Sequence, residues 1–222
     1  MSIVTRKLVM KELHVNRWMI VSASAGAALS AAIAPLSKTA FNVGALTWLT
    51  VVIAFGCMLA IYGVMNERKE QSLQFVLSLP ISIADYVRAK LIGLFLCFLV
   101  VWTIAVAAAV AMVLLAPGVS DGLLPFTLAL GLYMLANFAV LLCGALHARS
   151  EGLVTAVIAL TNMGVSIFMF TVGPMPAIRN HLESPTPVWN STVFNIFIVE
   201  IIVLVIALVL PLATAARRRD FI

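Results

Sequence analysis

Residues 99–116 read LVVWTIAVAAAVAMVLLA and contain no charged side chain. A helix needs roughly 20 apolar residues to cross a hydrocarbon core about 30 Å thick, and this run with its neighbours supplies them. Its residues do not alternate between apolar and polar, as they would in a strand of a membrane β-barrel. The stretch therefore predicts a membrane-spanning α-helix.

Comparable apolar stretches on both sides of this one bring the number of predicted spans to six. The chain of 222 residues is 63% hydrophobic and only 10% charged, whereas about a quarter of the residues in a soluble domain are charged. The spans cover about Trp18–Ala34, Leu46–Met65, Leu91–Ala116, Leu123–Leu146, Leu153–Val172 and Val193–Ala213. We expect an all-α integral membrane protein with a single transmembrane domain over residues 1–222.

The basic residues are divided unequally between the two sides of the membrane. With six spans, both termini and the loops after spans two and four share one side, which holds all of the 14 Lys and Arg residues except Lys38 and Arg179. Because basic residues accumulate in cytoplasmic loops, both termini are predicted to be cytoplasmic, in the cell inner (plasma) membrane. The net charge of +5 then reflects topology and attraction to the lipid bilayer, and no nucleic-acid partner is expected.

The chain begins with a basic amphipathic segment, residues 1–17. Val4, Leu8 and Val15 lie on its apolar side, whereas Glu12 belongs to the polar remainder. This pattern is typical of a helix that lies along the membrane interface. We therefore predict an N-terminal interfacial elbow helix before the first span.

The start of the chain also resembles a secretory signal peptide, because an apolar run ending in Ala32-Ile33-Ala34 follows the basic segment. The basic segment is long and itself amphipathic, and Pro35 occupies the position after the small residues. We expect the first span to be retained.

The main polar interruption, NERKEQSLQFVLSLPISIADYVRAK, covers residues 66–90 between spans two and three. After a charged beginning, Leu73, Val76 and Leu77 recur on one face of a predicted short helix. Pro80 ends this helix, because proline lacks an amide N–H and disfavours helical geometry at the residue before it.

Ser82 and Asp85 follow this proline in an S-x-x-D pattern, which predicts a capped helix that continues into span three. A helix, a proline break and a capped restart together favour a rigid elbow at the membrane surface. The apolar face before the break would be covered by a soluble partner; the alternative is a solvated loop.

The motif E-R-K-E-x-S-L-x-x-x-L-S-L-P-I-S-x-x-x-x-V-x-A-K over residues 67–90 resembles the cytoplasmic loop of ABC-2 type transporter permeases. The N-terminal LVMKELHVNRW, residues 8–18, is similar to the elbow helix of the same family. Gln71 departs from the pattern, because many relatives carry glycine there.

The resemblance implies the permease subunit of an ATP-driven ABC exporter, paired with a second permease copy or a related permease and served by two copies of an ABC ATPase subunit. Residues 66–80 would form the coupling helix that inserts into the ATPase. The residues implied for coupling are Glu67, Arg68, Glu70, Leu73, Val76, Leu77 and Pro80.

The sequence has no G-x-x-x-x-G-K-[ST] motif, the loop with which many ATPases bind phosphate. We therefore expect no cofactor in this chain, with ATP and Mg bound by the partner ATPase. His14, His147 and His181 lie in separate segments, and we find no motif typical of a hydrolase or metalloenzyme. The chain is not expected to be an enzyme by itself.

Polar residues inside the spans are candidates for a translocation path. Glu200 lies one or two turns inside span six, and an acidic residue at such a position usually faces a bundle interior or a cavity. The alternative role for Glu200 is that of a structural carboxylate. For the other polar residues within the spans, the alternative is hydrogen bonding between helices. The candidates are Asn137, Thr155, Asn162, Ser166, Asn195 and Glu200, of which Thr155, Asn162 and Ser166 share one face of span five.

The longest predicted external loop covers residues 173–192 and contains four prolines. Because it also carries Ile178, Leu182 and Trp189, we expect a short helix or a re-entrant piece in it.

Other functions compatible with this sequence are a haem-exporter-like permease, which shares the Leu-Pro loop pattern, and a non-transporting membrane immunity or assembly factor. The transported substrate, and the choice between homodimer and heterodimer, do not follow from the fold.

Overall fold

The computed structural model describes residues 3–66 and 83–215. Within these ranges the chain folds into helices and short turns, without a β-strand. The α-helices are α1 (Ile3–Val15), α2 (Arg17–Ile33), α3 (Lys38–Ala60), α4 (Ile83–Leu115), α5 (Leu124–His147), α6 (Glu151–Val172), α7 (Pro176–Arg179) and α8 (Ser191–Ala215).

Six helical segments are long and apolar enough to cross a membrane, which confirms the predicted fold class. They cover Arg17–Leu36, Lys38–Met65, Ala84–Leu115, Asp121–His147, Glu151–Val172 and Ser191–Ala215. Helix α1 occupies most of the predicted elbow segment, and its position along a membrane interface stays a prediction. Helix α4 is continuous from Ile83 into span three, as expected from the pattern at its beginning.

The sequence predicts that the second span begins near Leu46. In the structure it begins at Lys38. Ser37 has extended backbone geometry, and its hydroxyl accepts a hydrogen bond from the amide of Ala40 at 3.0 Å. This N-cap starts the helix early. The first turns of α3 contain polar residues such as Asn42, and these lower the apolar character of this stretch of sequence.

Helices α2 and α3 approach each other closely at Gly44. A Cβ atom added to this glycine would lie 2.7 Å from the carbonyl oxygen of Ser30 and 3.0 Å from the Cβ of Ala34. Small residues permit such contacts between membrane helices, where the gain comes from close packing. The contact fixes the first hairpin of the bundle.

Helix α5 lies at the centre of the bundle and has the largest buried share of the six spans, 50%, against 17% for α8. Phe138 of α5 stacks on Phe98 of α4 with ring centroids 3.9 Å apart, and Phe55 of α3 lies beyond Phe98 at 6.2 Å. Gly56 leaves room for these rings, because an added Cβ would lie 3.1 Å from the ring of Phe138.

Two tryptophans connect these three helices through hydrogen bonds to backbone carbonyls. The indole N–H of Trp48 in α3 donates to the carbonyl of Ala105 in α4 at 3.0 Å. The indole N–H of Trp102 in α4 donates to the carbonyl of Gly131 in α5 at 2.6 Å. The N–H groups of the buried Trp48 and the half-buried Trp102 thus both have a hydrogen-bond partner.

We expect Trp48→Phe to cost no more than about 1–2 kcal/mol, the usual range for a hydrogen bond between membrane helices. The carbonyl of Ala105 keeps its own helical donor, so no acceptor is left without a partner. Trp48→Ala also removes a side chain that is only 7% exposed and should cost about 3–5 kcal/mol. Thermal unfolding in lipid nanodiscs measures both variants. If Trp48→Phe and Trp48→Ala lose equal stability, the hydrogen bond alone accounts for the contribution of this side chain.

A buried ion pair joins α1 to α4. The Nζ atom of Lys90 lies 2.7 Å from Oε1 of Glu12, and the two side chains are 4% and 8% exposed. Val9 of α1 and Asn16, which follows α1, are also buried. An added Cβ at Gly93 of α4 would lie 2.8 Å from the side chain of Glu12. Helix α1 therefore packs on α4 through a partly polar face.

The connection before α8 contains the short helix α7 and packs against the turn between α4 and α5. The carbonyl of Ser184 accepts hydrogen bonds from the amide of Gly122, at 3.0 Å, and from the hydroxyl of Ser120. Asn190 caps α8 by accepting from the amide of Val193 at 3.0 Å. This end of the bundle is thus ordered by backbone and side-chain hydrogen bonds.

After Ala60, α3 continues into a π-helical turn, Ile61–Met65. The amide of Asn66 donates to the carbonyl of Ile61 at the end of this turn. Gly63 packs this turn on α4, since an added Cβ would lie 2.6 Å from the side chain of Leu94.

A cleft between three membrane helices as candidate functional site

A cleft of about 620 Å³ lies between α5, α6 and α8. Its lining is mainly apolar, and Leu160 and Val199 at its rim are strongly exposed. Volumes of this order are typical of small-molecule sites, which combine an apolar wall with a few polar groups. The cleft is therefore a candidate binding site in the described part of the chain.

Glu200 of α8 contributes the acidic group of the cleft lining. The residue is only 5% exposed, and neither carboxylate oxygen has a hydrogen-bond partner among the described residues. At a rise of 1.5 Å per residue it lies roughly 14 Å from the beginning of α8, well inside the span. A polar group buried there without a partner is costly, and such residues are commonly functional.

Tyr133 and Gly164 shape the neighbouring wall. The ring of Tyr133 stacks on Phe168 with centroids 4.2 Å apart. A Cβ atom added to Gly164 would lie 2.8 Å from the tyrosine hydroxyl and 3.9 Å from Oδ1 of Asn137. The glycine thus makes room for a hydroxyl and an amide in the cleft that Glu200 also lines.

The cleft brings together three of the six residues predicted for a translocation path: Asn137, Asn195 and Glu200. Thr155 and Ser166 are exposed on α6 and do not line the cleft.

The sixth predicted residue, Asn162, lies in a separate small gap between α3, α5 and α6. There its side-chain nitrogen is 3.6 Å from the sulfur of Cys57. That any of the six lines a translocation path stays a prediction.

The sequence of the chain matches a known protein family over most of its length. A family model described as ABC-2 family transporter protein matches residues 8–213, from within α1 to near the end of α8. The chain belongs to the ABC-2 transporter family. Members of this family are multi-pass membrane components of transporters, and the family implies an ABC ATPase partner in general. No match was found among curated proteins.

Sequence reasoning missed several residues of the cleft in this ABC-2 permease. Tyr133, Gly164 and Phe168 were not singled out, and Thr161 lines the cleft instead of Thr155. A tyrosine in the middle of an apolar span was the available signal, because its hydroxyl needs a polar surrounding there.

The residues that the ABC-2 resemblance implied for coupling lie outside the described residues: Glu67, Arg68, Glu70, Leu73, Val76, Leu77 and Pro80. The described flanks are the π turn at the end of α3 and the beginning of α4. The pair of Glu12 and Lys90 lies within two turns of that beginning.

His147, at the end of α5 in this ABC-2 permease, connects two helices. Its Nδ1 donates to the carbonyl of Cys143 at 2.8 Å, and Nε2 lies 2.8 Å from the hydroxyl of Thr214 in α8. Residues 3–66 and 83–215 contain no group of three or more His, Cys, Asp or Glu side chains that could hold a metal ion. The contact links α5 to α8 outside the cleft lining.

Proposed function

We propose that this chain is the permease subunit of an ATP-driven exporter, in which it forms the translocation path and is coupled to a separate ABC ATPase. The family match over residues 8–213 carries this proposal. The absence of a phosphate-binding loop in the sequence and the charged segment between spans two and three support it.

In the proposed mechanism, two partner ATPases bind ATP and Mg and close on each other. Their closure displaces residues 66–80, and α4 carries the displacement into the membrane because it is one continuous helix from Ile83 to Leu115. Helix α1 moves with α4 because Glu12 and Lys90 hold the two together. The bundle then changes between inward-facing and outward-facing states.

The complex would contain two permeases, either two copies of this chain or one copy and a related chain. Both termini would be cytoplasmic in the plasma membrane, with α1 along the cytoplasmic leaflet. The exposed Met10 and Val15 of α1 support this placement, since they are 59% and 65% exposed and suit contact with lipid.

The test is the double substitution Leu73→Asp with Leu77→Asp. Two charges in an apolar contact should each cost at least about 2 kcal/mol, so copurification with the ATPase and stimulation of its ATP hydrolysis should fall by more than about tenfold. Leu73→Met with Leu77→Met is the matched control and should retain both. Undiminished stimulation in the Asp variant would contradict the proposal. An ATPase that never copurifies with the wild-type chain would favour a non-transporting factor.

A further inference from the structure

The cleft between α5, α6 and α8 leaves one electrostatic requirement unfulfilled. The carboxylate of Glu200 is buried without a hydrogen-bond partner among the described residues, and none of the residues that line the cleft is Lys, Arg or His. A buried carboxylate in hydrocarbon is stabilised when a positive charge comes within contact distance. The described bundle therefore offers an acceptor for a cation and no cation of its own beside it.

We propose that this cleft binds a lipophilic amine, a ligand with one cationic group on an apolar body, whose ammonium group pairs with Glu200. The inference rests on the proposed transport function and gives the substrate class of its translocation path. The cation displaces no side chain of the described cleft, since Glu200 has no partner there to give up.

The apolar part of the ligand follows from the walls. Apolar surface of the cleft comes from Phe168 and Val172 of α6 and from Val199 and Val203 of α8. A volume of about 620 Å³ accommodates a small drug-sized molecule. The exposed rim lies on membrane-spanning helices, so a ligand dissolved in the bilayer can enter sideways. A strongly hydrated cation would instead have to lose its water in apolar surroundings.

The other polar groups of the cleft can accept hydrogen bonds from an ammonium ion. The Tyr133 hydroxyl and the Asn137 Oδ1 atom of α5 lie near Gly164 and line the same cleft as Glu200. Both can accept hydrogen bonds from N–H donors. An anion would be repelled by Glu200, and a neutral alkyl chain would leave the carboxylate without a partner. Charge complementarity thus selects one class of ligand.

The test compares two probes on the full-length chain in phosphatidylcholine nanodiscs. One is a dansyl-labelled alkyl chain that ends in a primary amine, and the other is the same chain ending in a hydroxyl. After subtraction of the signal from empty nanodiscs, the amine should bind saturably and at least about tenfold more tightly than the hydroxyl, as a buried charge pair permits. Equal binding of the two probes would overturn the proposal.

Glu200→Gln keeps the shape of the side chain and removes its charge. It should weaken amine binding by at least about tenfold and leave binding of the hydroxyl probe nearly unchanged. Glu183→Gln is the matched control, because it removes one acidic group from an exposed position outside the cleft, and it should bind both probes like the wild type. Amine binding that survives Glu200→Gln, or is lost equally in Glu183→Gln, would contradict the role of Glu200.

A third variant tests the location independently of charge. Val203→Trp adds bulk three residues after Glu200 on a wall of the cleft and should weaken both probes. If a second copy of the chain covers the cleft, neither probe binds to the wild type, and the proposal fails.

The ATPase assay separates this inference from the proposed function. Wild-type protein that stimulates its ATPase but binds both probes equally would overturn only the ligand class. Wild-type protein that prefers the amine but stimulates no ATPase would contradict the transport function and leave the binding site in place.

Discussion

Lys90→Met is expected to destabilise the protein by about 3–5 kcal/mol, because it leaves the carboxylate of Glu12 buried without its ion partner. The Lys90 Nζ atom and the Glu12 Oε1 atom are 2.7 Å apart, and the two side chains are almost fully buried. Removal of one partner of such a pair exposes the full desolvation cost of the other. The melting temperature should fall by roughly 6–20 °C for a chain of this size, measured by tryptophan fluorescence in nanodiscs.

The double variant Lys90→Met with Glu12→Met distinguishes the pair from its parts. Two apolar side chains of similar volume should return most of the lost stability, since a buried pair often contributes little beyond its apolar replacement. Arg88→Met is the control in the same helix. It breaks a 3.9 Å contact with Asp85 in which the side chains are 55% and 38% exposed, and should cost less than about 1 kcal/mol. A double variant no more stable than Lys90→Met would contradict this reading.

Gly122→Ala is expected to detach the connection before α8 from the turn between α4 and α5. An added Cβ would lie only 2.0 Å from the carbonyl oxygen of His181 and 2.6 Å from the hydroxyl oxygen of Ser184. Because backbone must move, we expect a cost of about 2–3 kcal/mol, in the range for forced overpacking. The hydrogen bonds to the Ser184 carbonyl should be lost with it. Faster proteolysis within residues 173–190 and a lower melting temperature measure the change.

Gly152→Ala is the matched control for this substitution. Gly152 lies in the first turn of α6, where an added Cβ meets only the Ser150 hydroxyl oxygen at 4.0 Å. Alanine in a helix is favoured over glycine by roughly 0.5–1 kcal/mol, so this variant should be as stable as the wild type or slightly more so. If both variants behave alike, the close contact at Gly122 is not what holds the connection.

The spans could be predicted from sequence because the length of an apolar run is a local property. The early beginning of α3 could not, because a single hydrogen bond from Ala40 to the side chain of Ser37 starts the helix before the chain becomes uniformly apolar. The pairing of Glu12 with Lys90 was also missed. Both residues had been noted separately, but their contact depends on how α1 packs on α4.

The cleft could be predicted only in part. Glu200 was identifiable as an acidic residue within an apolar run. Tyr133 and Gly164 were not, because membrane helices are apolar on all sides and their patterns do not mark the buried face. For the same reason, the polar residues of span five gave no indication that Thr161 and not Ser166 lines the cleft.

The π turn at the end of α3 has a geometric consequence for the segment that follows it. Its hydrogen bond from the amide of Asn66 to the carbonyl of Ile61 encloses one more residue than an α-helical bond. Conversion of the turn to α geometry would shift the register by one residue, which corresponds to a rotation of about 100° around the helix axis. Such a conversion would turn the chain after Asn66 about the axis of α3 without unwinding the span.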